Sequence, residues 1–133
     1  MERIFVDTGA WFSYFNAADP DHEAVSEVLA EWESRLLTTD YVFDEVVTLV
    51  RFRVGHPEAR KSGEALRSGD IAALIDVETI DRDAAWKRFV RDQDKVYSYT
   101  DCTSFSVMDR IGLTTVAAVD EDFRRAGFRV LPA

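Results

Sequence analysis

The chain has 133 residues, 47% of them hydrophobic and 12% aromatic, and a formal net charge of −9. A chain of this length buries roughly two thirds of its unfolded surface in one core, so a single folded domain over 1–133 is expected and disorder is not. The excess of acid, 25 Asp and Glu against 16 Lys and Arg, excludes a protein that grips nucleic acid by bulk positive field and leaves room for one that binds cations.

No apolar run approaches the length of a membrane span, and Met1-Glu2-Arg3-Ile4 lacks the basic start and apolar stretch of a signal peptide. A soluble, cytoplasmic protein with no membrane partner is expected. Cys102 is the one cysteine and cannot form an internal disulfide, and His22 and His56 alone make no zinc constellation.

Ile4-Phe5-Val6 is a continuous run of strand formers, as expected of a buried parallel strand, and it stops at Asp7-Thr8-Gly9. Trp11, Phe12 and Phe15 follow at helical spacing. Asp19 with Pro20 reads as an N-cap and first-turn proline, opening a helix whose inward stripe is Val25, Val28, Leu29 and Trp32. Glu23, Glu27, Glu31 and Glu33 then form its solvated face.

Leu36-Leu37-Thr38 is a second strand, and Thr39-Asp40 caps a helix that runs to about Val54, closes at Gly55 and restarts at Pro57. Its stripe is Val42, Val46, Leu49 and Val50. Glu45, three residues after Val42 and four before Leu49, falls on or beside that stripe, whereas Asp44 turns away. A carboxylate so placed is either salt-bridged at the stripe's edge or functional.

A helix over Glu58 to Arg67 and a Ser68-Gly69-Asp70 turn lead to a third strand, Leu74 to Val77 with Ile80 at its exit. Asp81 then caps a helix with Ala85, Trp86, Phe89 and Val90 inward and Arg82, Lys87, Arg88 and Arg91 outward. Ser98-Tyr99-Thr100-Asp101 starts the next one, with Cys102, Phe105, Met108 and Ile111 recurring every three residues on its buried face. Asp101 sits in its first turn, where a carboxylate is favoured by unpaired amides and the helix dipole. After Gly112, Thr115 to Val119 is a fourth buried strand ending at Asp120-Glu121-Asp122-Phe123; a short helix and a last strand over Phe128 to Leu131 complete the chain.

Strands alternating with helices imply a parallel sheet of about five strands covered on both faces, a three-layer α/β/α fold. In such sheets the carboxyl ends of the strands form the ligand crevice, which is where Asp7 and Asp120 must lie, with the helix start that carries Asp101 in the same rim. Carboxylates gathered there repel one another and lose hydration unless cations intervene. Mg²⁺ or Mn²⁺ suits such donors, and a pair about 4 Å apart can activate water and stabilise the leaving oxygen of a phosphodiester. Arg51, Arg53, His56, Arg60 and Lys61 form a basic run that either flanks this crevice to contact phosphates or is a solvated helix face.

The motifs Phe5-Val6-Asp7-Thr8, Thr39 to Glu45, Tyr99-Thr100-Asp101-Cys102-Thr103-Ser104-Phe105 to Met108, and Val119-Asp120 with Phe123 and Gly127-Phe128 occur in order along the chain. Together they resemble a PIN domain, specifically a VapC-type ribonuclease toxin of a type II toxin and antitoxin pair, across essentially the whole length. The resemblance implies a Mg²⁺-dependent endoribonuclease in which Asp7, Glu45, Asp101 and Asp120 bind the metal, with Thr8 and Thr103 or Ser104 as the hydroxyls behind them. It also implies a homodimer and a cognate antitoxin covering the acidic site. Where similar toxins often carry a His two residues after the fourth acid, this chain has Asp122, which either adds a ligand or caps the last helix. A surplus of aromatics in the early helices (Trp11, Phe12, Tyr14, Phe15, Trp32, Phe43, Phe52) independently points to a dimer.

Three other readings fit less of the pattern. A phosphorelay receiver domain, or a related metal-binding signalling domain, needs adjacent acids at the first strand and a Lys after the last, yet Asp7 stands alone and no Lys follows Lys95. A haloacid-dehalogenase-type phosphatase needs a second Asp where this chain has Gly9. A PIN scaffold without catalysis would not require all four acids.

Overall fold

The structure is a computed structural model describing residues 1–133. Five short strands, β1 (Ile4–Val6), β2 (Leu36–Thr39), β3 (Ala73–Ile75), β4 (Thr115–Ala117) and β5 (Arg129–Leu131), pair in parallel in the order β3-β2-β1-β4-β5. β1, β2 and β4 are buried along their whole length, as their apolar runs require, whereas β3 and β5 at the edges are partly open. The chain winds from β1 outward through β2 and β3, then crosses back to β4 on β1's other side. That reversal opens a crevice at the carboxyl ends of β1 and β4.

Seven helices, α1 (Thr8–Phe15), α2 (His22–Glu31), α3 (Asp40–Arg53), α4 (His56–Ser68), α5 (Thr79–Arg91), α6 (Tyr99–Ile111) and α7 (Asp122–Arg125), cover the two faces, giving the three-layer α/β/α arrangement. No helix is long and apolar enough to cross a membrane. The stripe Val25, Val28, Leu29 and Trp32 is buried as the spacing predicts, and Thr39 caps α3 by accepting the Val42 amide at 3.2 Å. The Asp40 carboxylate takes the Val77 amide at 2.8 Å, which ties the exit of β3 to the start of α3.

Two helices differ from expectation. α2 begins at His22 because Asp19 and Pro20 belong to a preceding turn, in which the Asp19 carboxylate accepts the Asp21 amide at 2.8 Å. α5 begins two residues before Asp81, with Glu78 as its cap, and takes in Ile80, which is exposed and not a strand exit. Of its expected inward residues only Ala85 is buried; Trp86, Phe89 and Val90 face solvent. The cause lies in what joins α5 to α6. Asp81 pairs with Arg110, and the Arg88 guanidinium lies 5.0 Å above the Phe105 ring, so polar contacts fill the seam that an apolar stripe would otherwise fill.

The early aromatics do not form a surface surplus either. Trp11, Phe12 and Trp32 are buried, Tyr14, Phe15 and Phe43 are partly so, and only Phe52 is openly exposed. Their area goes into the core, where Trp11 stacks on Phe15 at 5.8 Å and its indole donates to the Thr38 hydroxyl at 3.2 Å.

Candidate active site

The Asp7 amide donates to the Ala117 carbonyl at 3.0 Å, which carries the β1–β4 pairing one residue beyond the strand and fixes Asp7 at the mouth of the crevice. Its side chain is buried, and Oδ1 has no hydrogen-bond partner. Thr8 starts α1 and its hydroxyl donates to Glu45 Oε1, which joins α1 to α3 across the crevice. A Cβ on Gly9 would lie 2.7 Å from Val119 Cγ2, so the absence of a side chain is what lets the start of α1 approach the segment leading to Asp120.

Asp101 is the third residue of α6 and forms a capping box with Ser98. The Asp101 amide donates to Ser98 Oγ at 2.9 Å, and the Ser98 amide donates to Asp101 Oδ2 at 3.0 Å. Asp120 follows β4 and accepts the Asp122 amide at 3.0 Å. Asp122 opens α7, half-buried, 3.4 Å from the Arg125 guanidinium.

These acids share one field. Burial pushes the Asp7 carboxyl well above the usual carboxylate range, and the charges of Asp101, Asp120 and Glu45 add to it against an opposing Thr8 amide. Burial likewise lifts Asp101 to about 6, with Asp122, Asp120 and Glu45 pushing further and the Ser98 amide opposing. Asp122 is raised by burial and by Asp120, with Arg125 opposing. Asp7, Glu45, Asp101, Asp120 and Asp122 thus form one constellation. Even so, no three of them converge closely enough to ligate one ion as they stand. Most are held by partners of their own: Thr8 on Glu45, the Ser98 amide on Asp101, the Asp122 amide on Asp120 and Arg125 on Asp122.

Neutral or nucleophilic side chains contribute little here. Burial, followed by the charge of Asp101, pushes the Cys102 thiol up to about 11, so no thiolate forms near neutrality. His22 is half-buried with Nδ1 2.8 Å from the Ser13 carbonyl, and His56 is exposed on α4. The Thr103 hydroxyl donates back to the Thr100 carbonyl at 2.7 Å, while Ser104 Oγ is buried without a partner. Of the basic run, Arg53 shares a cleft of about 310 Å³ with Glu45 and Thr100. Arg51 and Arg60 line a different cleft, between α3 and α4 with His56, and Lys61 is exposed on α4. Two cations beside the acids are not singled out by the sequence pattern, Lys95 and Arg125, which line a cleft with Asp122. Arg125, three residues after Asp122 on a short helix, is the one that spacing alone can find.

The fold is thus a parallel α/β sheet whose switch point gathers carboxylates at the ends of β1 and β4 and the start of α6. The chain belongs to the PIN domain family, whose family model matches residues 4–129, and its relatives are VapC ribonucleases. It is 34% identical over 94% of its length, and 95% of the relative's, to the 23S rRNA-specific endonuclease VapC20 of Mycobacterium tuberculosis. The crystal structure of VapC20, described as a sarcin-ricin loop cleaving toxin, superposes with a TM-score of 0.89. Ribonuclease VapC26 of the same organism is 29% identical over 88% of this chain and 86% of its own. The DNA-bound VapBC of Salmonella typhimurium, 16% identical and covering 98% of this chain and 97% of that one, shares the fold with a TM-score of 0.73. This membership sets aside the phosphorelay and phosphatase readings.

Proposed function

We propose that the protein is a Mg²⁺- or Mn²⁺-dependent endoribonuclease, the toxin of a toxin and antitoxin pair, acting in the cytoplasm where its RNA is. The observation that carries this is Asp7 Oδ1, a buried carboxylate oxygen with no donor, lying in the field of Asp101, Asp120 and Glu45. An oxygen so placed fits a hard divalent cation, and an all-carboxylate donor set suits Mg²⁺ or Mn²⁺ over zinc. Asp7, Glu45, Asp101 and Asp120 would hold the metal, with Asp122 as a further ligand, after side-chain rotations that free them from their present partners. Held there, such an ion would supply the chemistry of water activation and of charge stabilisation on the phosphate.

The protein's own groups do the rest. Thr8 orients Glu45 through its hydroxyl, and the capping box holds Asp101 by one carboxylate oxygen. Ser104, with a free buried hydroxyl on the same helix, is the better placed of the two α6 hydroxyls to support the acids, since Thr103 is spent on its own helix. Arg53 beside Glu45 meets the RNA phosphates. Purified protein is expected to cleave RNA with Mg²⁺ or Mn²⁺ and to be silent in EDTA, the sarcin-ricin loop named for VapC20 being the first substrate to try. Undiminished cleavage in chelator would sink the metal reading.

The antitoxin is the expected protein partner, by analogy with proteins of the same fold solved as a toxin-antitoxin complex and as VapBC, and its binding over the acidic crevice would silence the site. A homodimer is supported by the outward face of α5, where Trp86 is 57% exposed and Ile80, Phe89 and Val90 flank it. A stripe of four large apolar side chains is costly to leave in water, and a second copy of the same helix is its natural cover. Trp86→Arg should then halve the mass seen by light scattering at micromolar concentration; a wild type of about 15 kDa would count against the dimer.

A further inference from the structure

We propose that the cleft beside Asp122 binds an RNA phosphate on the far side of the scissile bond from Arg53, with Lys95 and Arg125 as its cations. This rests on the ribonuclease reading and deepens it. A polyanion meets repulsion at a crevice of five carboxylates, so the strand must be held by cations on the flanks. Arg53 supplies one on the Glu45 side.

On the other side a cleft of about 320 Å³ is lined by Asp94, Lys95, Val96, Tyr97, Asp122 and Arg125. Asp122 belongs both to this cleft and to the acids, so the two are continuous. Its floor is rigid: the Tyr97 ring is buried edge-on against Phe105, with centroids 5.0 Å apart. Its cations are weakly committed. Lys95 reaches only its exposed sequence neighbour Asp94, at 3.2 Å, and Arg125, 62% exposed, makes one long contact of 3.4 Å to Asp122. Exposed pairs of this kind contribute little, so a phosphate oxygen can take over both cations at small cost. Arg125 has most of its fork free, the geometry that planar phosphate recognition uses. The strand would run from Arg53, over the acids, to Lys95 and Arg125.

The test is the double variant Lys95→Ala/Arg125→Ala, with Arg3→Ala/Arg129→Ala as control, since those two lie toward the amino ends of the strands and remove the same charge. Expected is a KM for RNA higher by about tenfold, with a salt slope shallower by about 0.7 from one lost single-strand phosphate contact. Kcat should stay near wild type, and the Mg²⁺-induced rise in melting temperature should not shrink, since Asp122 loses only a partner that competes with the cation. Wild-type KM and salt slope in the double variant would overturn the proposal. So would a loss confined to kcat with a diminished Mg²⁺ shift, because Arg125 would then serve Asp122 alone. RNA binding in EDTA, read by fluorescence anisotropy, separates the two failures. A wild type that binds more tightly than the double variant but never cleaves overturns the ribonuclease reading and keeps the subsite. A cleaving wild type matched in binding by the double variant overturns only the subsite.

Discussion

Asp7 and Asp81 are buried to almost the same degree, 4% and 1% exposed, yet the fold treats their charges in opposite ways. Burial pushes the Asp81 carboxyl up, but Arg110 donates two hydrogen bonds to it at 2.7 and 2.9 Å and the Glu78 amide a third at 2.9 Å. With the Arg110 and Arg82 charges added, the carboxyl ends below the usual range. Asp7 receives only the Thr8 amide against burial and three neighbouring acids, and ends well above it. One aspartate has been given its cation by the chain; the other has been left wanting one. An acid of the second kind either keeps its proton or is completed by a ligand, and that singles out the crevice more sharply than the number of acids does.

Substitution should separate the two most widely. Asp7→Asn removes a charge the cation needs and should lower cleavage by about 10³ or more, while the apo fold keeps or slightly raises its melting temperature because one repulsion is gone. Asp81→Asn should do the reverse. Breaking a buried pair costs about 3–5 kcal/mol when both partners are enclosed, and with Arg110 31% exposed about 2 kcal/mol is expected in urea unfolding, with cleavage per folded molecule kept. Glu27→Gln, exposed on α2 away from both clefts, should change neither quantity. Equal effects of Asp7→Asn and Asp81→Asn on cleavage would erase the distinction.

A smaller effect should follow pH. Asp101 is held at about 6 in the fold, against about 3.9 in an unfolded chain, and Asp7 is raised in the same direction. Between those values the native state binds more protons than the unfolded one, so the contribution of these groups is full below pH 4 and is lost as pH rises through 6. The metal-free protein should therefore melt about 3–6 °C higher at pH 5 than at pH 7, an inversion of ordinary acid sensitivity. Millimolar Mg²⁺ at pH 7 should restore the difference, and Asp7→Asn should blunt both responses. Differential scanning fluorimetry reads all three.

The contrast also marks where the sequence was readable. The run of Ile4 to Val6 ending in Asp7, and the placing of Glu45 between Val42 and Leu49 on or beside the stripe, follow from hydrophobic period, because apolar packing decides those positions. Hydrophobic period misplaces the inward face of α5 for the opposite reason. Its seam with α6 is made by Asp81 on Arg110 and Arg88 on Phe105, pairings that leave no apolar signal, and the exposed Trp86 and Phe89 mimic one. Asp19 and Pro20 look like a helix start because turn and cap use the same side-chain chemistry. No sequence period marks Lys95, because a loop residue reaches the crevice only through tertiary structure.

Asp101 stands between the two extremes, since it is at once a member of the acidic crevice and half of the box that starts α6. Ser98→Ala removes the other half. The Asp101 amide loses its acceptor at 2.9 Å, whereas the backbone bond from the Ser98 amide to Asp101 Oδ2 does not depend on the side chain and survives. The cost should be that of an N-cap, about 1 kcal/mol, or a melting temperature lower by about 3 °C. Because the carboxylate keeps its tether, the Mg²⁺-induced rise in melting temperature should persist and cleavage at 25 °C should stay within about twofold. If cleavage instead fell tenfold or more while stability hardly moved, Ser98 would be setting the aim of the Asp101 carboxylate. Asp101 would then belong wholly with Asp7, its place in the cap being part of how the crevice is built.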